Sequence, residues 1–265
     1  MTNTDLTLQD VFARTKRQNR AALIPYVTAG HPHLQDLGAL VAALNEGGAD
    51  IVEIGIPFSD PLADGPVLQK AATDALAGGT KIRDILAATE KISRNSVPVV
   101  YLTYINPVYH FGLKAFIHAA AQSGVKGIII PDLPWQESQE VFAYTQEEGM
   151  SLIPLVAPTS TDAHIASLQA VTGFIYGVSL TGVTGVRQDV DHGVGAMVAR
   201  IKQFISQPVA IGFGISTPEH AREVGRVADG VIVGSALVRI VDEAQDKAPQ
   251  AAYEFVASLR AALNP

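Results

Sequence analysis

Ile51-Val52-Glu53-Ile54-Gly55-Ile56 is a nearly unbroken apolar run, rich in β-branched residues, with one carboxylate inside it. Such residues favour a pleated strand, and a run that is apolar on both faces suits a parallel strand covered on each side by helices. Seven further runs of this kind recur along the chain, giving eight strand candidates: Ala22–Thr28, Ile51–Gly55, Val97–Thr103, Gly127–Pro131, Ser151–Val156, Gly173–Ser179, Pro208–Gly212 and Gly230–Val233. Segments with helical spacing follow them at Asp36–Glu46, Lys81–Ser93, Leu113–Ser123, Ser138–Glu148, Asp162–Val171, Val194–Ile205, Pro218–Val227 and Ala236–Asp242. Leu6–Arg17 and Ala251–Leu263 read as extra N-terminal and C-terminal helices, the first placed to plug the bottom of a barrel.

Eight alternating units predict an α/β fold, a (β/α)8 TIM barrel. With no Ser/Pro-rich tract, charge block or composition shift to mark a linker, residues 1–265 read as a single TIM-barrel domain. The competing fold is an open doubly wound sheet, which wants its binding glycines after the first strand. Here they cluster late, and Gly212-Phe213-Gly214-Ile215-Ser216 lacks the third glycine of a dinucleotide fingerprint.

The formal net charge of −7 argues against general nucleic-acid binding, which needs a basic footprint. The absence of cysteine excludes disulfides, thiolate zinc sites and a cysteine nucleophile. Residues 1–10 lack the basic start and apolar core of a secretory signal, and no later run approaches bilayer-spanning length, so a cytoplasmic location is expected. The seven histidines show no His-Glu-x-x-His pattern, and His31-Pro32-His33 reads as loop; no metal is expected.

In a barrel of this kind, working groups stand at the carboxyl ends of the strands and on the loops beyond them. Glu53 and Tyr176 lie within strands, while Asp64, Asn106, Asp132 and Ser235 follow strands at that end. Burying an ionised carboxylate is unfavourable, so Glu53 is either paired with a barrel lysine or arginine or poised to exchange a proton. Asp60 and Asp64 fit a catalytic loop and equally a pair of turn-terminating aspartates. Gly182-Val183-Thr184-Gly185, Gly212-Phe213-Gly214 and Gly234-Ser235 sit after the last three strands, where bare backbone N–H groups and a helix start can cradle a phosphate. Leu180–His192 is longer than an ordinary connection, with glycines near both ends, and is expected to be a lid loop.

Pro57-Phe58-Ser59-Asp60-Pro61-Leu62-Ala63-Asp64-Gly65-Pro66, preceded by Glu53-Ile54-Gly55, resembles the signature of the tryptophan synthase α subunit family. The segments Tyr26-Val27-Thr28-Ala29-Gly30, Tyr104-Ile105-Asn106-Pro107, Pro131-Asp132-Leu133-Pro134, Ser179 to Gly185, Gly212 to Ser216 and Gly234-Ser235-Ala236 agree with it in order. The resemblance implies a carbon–carbon lyase that cleaves indole-3-glycerol phosphate by a retro-aldol step to indole and D-glyceraldehyde 3-phosphate. It implies Glu53 and Asp64 as catalytic carboxylates, and Tyr26, Leu102, Ile129, Tyr176, Thr184 and Phe213 as substrate-binding residues. Phosphate binding maps onto Gly185, Gly214, Ile215, Gly234 and Ser235. Tyr26 is a mild departure, since phenylalanine also occurs there in the family.

The same resemblance implies no cofactor in this chain and a β subunit carrying pyridoxal phosphate, in an α2β2 tetramer, that receives the indole for L-tryptophan synthesis. Pro57, Asp60, Asn106, Pro107 and Pro134 are expected to face that partner. A stand-alone indole-3-glycerol phosphate lyase and a catalytically silent regulatory barrel remain as alternatives, the second disfavoured by the intact carboxylates.

Overall fold

The computed structural model describes residues 6–94, 97–178, 187–212 and 214–264, without the side chains of 187–192. Its strands are β1 (Ala22–Thr28), β2 (Val52–Gly55), β3 (Val99–Leu102), β4 (Val125–Ile129), β5 (Ser151–Ile153), β6 (Leu155–Val156), β7 (Ile175–Val178), β8 (Val209–Gly212) and β9 (Gly230–Val233). Its helices are α1 (Leu8–Arg17), α2 (Leu37–Glu46), α3 (Pro66–Ala77), α4 (Ile82–Ser93), α5 (Ile105–Phe111), α6 (Leu113–Gln122), α7 (Gln139–Glu147), α8 (Asp162–Ser167), α9 (Arg187–Lys202), α10 (Pro218–Gly225), α11 (Ser235–Ala244) and α12 (Ala248–Leu263).

All strand pairs are parallel, in the order β5-β4-β3-β2-β1-β9-β8-β7-β6. The expected strand over Ser151–Val156 is divided at Pro154, which has no N–H to give to a ladder. Because β5 pairs with β4 and β6 with β7, the chain itself closes the barrel across that proline. The Pro154 carbonyl still accepts a hydrogen bond from Tyr176 N–H at 3.0 Å.

The foot of the barrel is filled from within. Leu8, Val11 and Phe12 of α1 pack with Ile24, Val100, Ile153 and Phe174 of the barrel interior, and the Phe12 and Phe174 rings are 5.4 Å apart. Helix α1 is held by a capping box in which Thr7 and Asp10 bond each other's backbone N–H. Asp50, just before β2, is 2% exposed and gathers Arg14, Arg20 and Arg260 from α1, the turn after it and α12. These interactions tie both terminal helices to one end of the barrel and leave the opposite end for chemistry.

Two helices, α3 and α5, fall in stretches that read as loop. Signals for α3 are nonetheless present: Gly65 at the N-cap, Pro66 at the first helical position and Gly78 at the C-cap. For α5, Pro107 sits in the first turn, where its missing N–H is tolerated, and Asp132 Oδ1 accepts from Ile105 N–H at 3.0 Å. A third difference concerns the expected lid: α9 begins at Arg187, so the second half of the Leu180–His192 segment is helix. The polar run Arg187-Gln188-Asp189 carries no apolar spacing, and Gly193 and Gly195 suggest a break that the helix accommodates. Among the described residues no helix is long and apolar enough to cross a membrane.

Candidate active site

β2 carries Glu53 into the barrel interior, where it is 1% exposed, with no ion-pair partner among the described residues and no hydrogen-bond partner for Oε2. The structural ion pair left open by the sequence is therefore absent among those residues. Burial, and secondarily the charge of Asp64, pushes the Glu53 carboxyl up to about 8. Asp64, on the loop between β2 and α3, is raised by burial to about 6, while its hydrogen bond with the Tyr104 hydroxyl acts in the opposite direction. At neutral pH Glu53 thus keeps its proton and Asp64 is charged.

Tyr104 positions that loop. Its hydroxyl accepts a hydrogen bond from Ala63 N–H at 3.0 Å, and its ring lies 5.5 Å from that of Phe58. The sequence places Tyr104 only within the segment Tyr104-Ile105-Asn106-Pro107 and assigns it no role; a buried tyrosine needing a hydroxyl partner beside a polar loop is the available signal.

Glu53 and Asp64 share an inner, largely apolar cavity of about 150 Å³. Tyr26, Leu102, Ile129 and Tyr176 line it as well, together with Pro131, Leu155, Val178 and Ile232, which sequence reading did not single out. Two glycines make room for its tyrosines. A Cβ on Gly55 would collide with the Tyr26 hydroxyl, and one on Gly212 with that of Tyr176. The Tyr26 hydroxyl bonds to Thr28 Oγ1 at 3.2 Å, and burial raises its phenol above the ordinary value.

An outer cavity of about 630 Å³ adjoins the first, sharing Ala63, Asp64, Leu68, Tyr176, Val178, Ile232 and Gly234 as walls. Gly214, Ile215, Gly234 and Ser235 line this part, and Ser235 opens α11, so unpaired helical N–H groups and the positive end of the helix dipole stand at its edge. Gly214 has φ +79°, a conformation that favours glycine. Arg239, one helical turn beyond Ser235, also lines this cavity. The arrangement offers a proton donor, a fixed anion and an aromatic-sized hollow connected to an anion-favouring basin.

The model for the tryptophan synthase alpha chain matches residues 12–264. The chain belongs to the tryptophan synthase alpha chain family. It is 43% identical over 260 residues to the tryptophan synthase alpha chain of Thermosynechococcus vestitus, covering 97% of each chain. With that of Synechococcus elongatus it shares 46% over 239 residues, or 89% of this chain and 90% of the relative. Among solved structures, tryptophan synthase subunit alpha of Legionella pneumophila aligns with a TM-score of 0.90 at 33% identity, covering 99% of this chain and 98% of that one. A chain of Mycobacterium tuberculosis tryptophan synthase aligns with a TM-score of 0.88 at 38% identity, covering 97% and 98%.

Of the residues that the family resemblance singles out, Thr184, Gly185 and Phe213 lie outside the described residues. The residues assigned to a partner face divide. Asp60, Asn106 and Pro134 are exposed and Pro107 is partly so, whereas Pro57 is buried and presents no surface, because it continues directly from the strand into the barrel wall. Leu62, 90% exposed, and Tyr109, 54% exposed, are large apolar side chains on the same two connections that sequence reading did not mark.

Proposed function

We propose that this chain cleaves indole-3-glycerol phosphate to indole and D-glyceraldehyde 3-phosphate, acting as a carbon–carbon lyase. The observation that carries the reading is that Glu53, buried and without a counter-charge among the described residues, and Asp64 line one apolar cavity, where burial pushes their carboxyls up to about 8 and about 6 respectively. Glu53 delivers a proton to C3 of the indole, which turns the ring into an electron-poor indolenine. Asp64 holds the indole N–H as positive charge grows there. Glu53, once ionised, helps to remove the proton from the C3′ hydroxyl; the freed O–H electron pair becomes the aldehyde C=O as the C3–C3′ bond breaks, and the electron pair of that bond returns to the ring to give indole.

Tyr26, Leu102, Ile129, Tyr176, Thr184 and Phe213 enclose the indole, and Gly185, Gly214, Ile215, Gly234 and Ser235 hold the phosphate. Anchoring at the phosphate is remote from the bond being broken and lowers the entropic barrier to placing C3 against Glu53. These proton transfers call for no cofactor in this chain. The indole passes to a β subunit carrying pyridoxal phosphate, in an α2β2 assembly. Exposed Leu62 and Tyr109, beside Asp60, Asn106, Pro107 and Pro134, support a partner face at the barrel mouth. On this reading residues 1–265 work as one barrel domain in the cytoplasm.

The test is indole release from indole-3-glycerol phosphate by the purified chain, with and without a β subunit. Turnover that rises on adding β supports the reading. No indole under either condition removes it, and strong turnover indifferent to β leaves a stand-alone lyase in its place.

A further inference from the structure

Away from both cavities, three titratable side chains converge from separate elements. His31 follows β1, Asp74 lies on α3 and Asp242 on α11. His31 is 5% exposed, and neither of its ring nitrogens has a hydrogen-bond partner. Nε2 faces Asp242 Oδ1 at 3.4 Å and Nδ1 faces Asp74 Oδ2 at 3.9 Å. One ligand atom from each residue can be chosen so that all lie within 4.8 Å of one another. Sequence reading assigned His31 to a loop; it is the fold that brings two carboxylates to it.

We propose that His31, Asp74 and Asp242 form a binding site for a divalent transition-metal cation, with Zn2+ as its representative, which ties α3 to α11. The 3.4 Å separation of Nε2 and Oδ1 matches the edge of a tetrahedron around a zinc ion with bonds of about 2.0–2.1 Å. A neutral imidazole and two carboxylates balance a double positive charge. The imidazole selects zinc and its neighbours over magnesium or calcium, which take oxygen.

Lys70 marks the same point. Its ammonium sits 2.8 Å from Asp74 Oδ2 and 3.1 Å from Asp242 Oδ1, so the two carboxylates already draw a cation between them. The Lys70 ammonium bonds the two carboxylates and neither His31 nitrogen, whereas a metal ion takes one ligand atom from each of the three residues. Lys70 is 59% exposed on a flexible stem and can withdraw into water when an ion enters. The site has a structural consequence: α3 leaves the loop that holds Asp64, and α11 opens at Ser235, so an ion here fixes the helices that carry both cavities' rims. The proposal does not depend on the reaction assigned above.

The experiment is a calorimetric titration of Zn2+ into the full chain after chelator treatment, with melting temperature in the presence and absence of zinc as a second readout. One-to-one saturable binding and a higher melting temperature are expected. Asp74→Asn, at a half-exposed position, should fold and weaken binding about tenfold or more. His31→Asn should abolish it, and Lys70→Met should strengthen it by removing the competing ammonium. If the parent takes up no zinc, or folded Asp74→Asn binds as tightly as the parent, or Lys70→Met fails to strengthen binding, the site is overturned.

Discussion

Tyr26 on β1 and Glu53 on β2 are direct partners in the sheet register, so both side chains leave the same face of the barrel and enter the inner cavity together. Gly55, two residues beyond Glu53, keeps the space that the Tyr26 ring occupies. Register, rather than proximity in sequence, places an acid against an aromatic wall.

Glu53→Gln keeps the shape of the side chain and removes its acid function. The turnover number for indole formation should fall by about 10²–10⁴-fold, the usual contribution of a positioned acid–base group. Affinity for glyceraldehyde 3-phosphate, measured by calorimetry, should change little. Unaltered indole formation in a folded variant would remove Glu53 from the mechanism.

The active form needs Glu53 protonated and Asp64 ionised, so kcat/KM should be bell-shaped in pH, falling below about 6 and above about 8. Tyr104→Phe removes a hydrogen bond that lowers the Asp64 value, and should move the acid limb to higher pH. Stability shows the linked effect. Glu53 has an ordinary value of 4.5 and a folded value of about 8, so between these the native state holds the extra proton and wild-type stability declines as pH rises. Glu53→Gln should therefore gain melting temperature relative to wild type at pH 8 and above, and little at pH 4.

Gly234 borders both cavities, and a Cβ there would meet nothing closer than Tyr26 Cβ at 3.9 Å. Gly234→Ala should accordingly fold and retain phosphate binding. Gly234→Asp places a carboxylate in the anion basin and should weaken glyceraldehyde 3-phosphate binding about 100-fold, by repulsion in a low-dielectric site. Equal affinities for the two variants in calorimetry would locate the phosphate elsewhere.

Asp50 accepts from Arg20 at 2.6 and 2.8 Å, from Arg260 at 3.0 Å, from Arg14 at 3.1 Å and from Leu23 N–H at 3.0 Å. Asp50→Ala would leave three guanidinium groups facing one another without a counter-charge. Urea unfolding should show a loss of about 3–5 kcal/mol, the usual effect of breaking a buried ion pair from one side. The catalytic rate of the folded fraction should stay near wild type, because this cluster occupies the other end of the barrel.

The limits of legibility follow from the range of the forces involved. β1 and β9 have the bounds that local apolar patterning predicts, and Glu53 stands out in sequence because a charge in an apolar strand is locally anomalous. Helix α3 is hard to read because the Pro-rich signature upstream obscures its start, although Gly65 and Pro66 are themselves a helix-start signal. Tyr104 and the Leu62–Tyr109 surface were not legible, since the hydroxyl's partner is 41 positions away and exposure is decided by what fails to pack there.

From sequence alone came the alternating (β/α)8 plan, the absence of cysteine chemistry and the carboxylate-bearing motif that carries the family resemblance; each rests on neighbouring residues within one strand, helix or loop. Closure at Pro154, the elevated proton affinity of Glu53, the two adjoining cavities and the meeting of His31 with Asp74 and Asp242 belong to the tertiary structure. Desolvation and long-range contact depend on which distant segments the barrel brings together, and a linear pattern of residue types does not contain those distances.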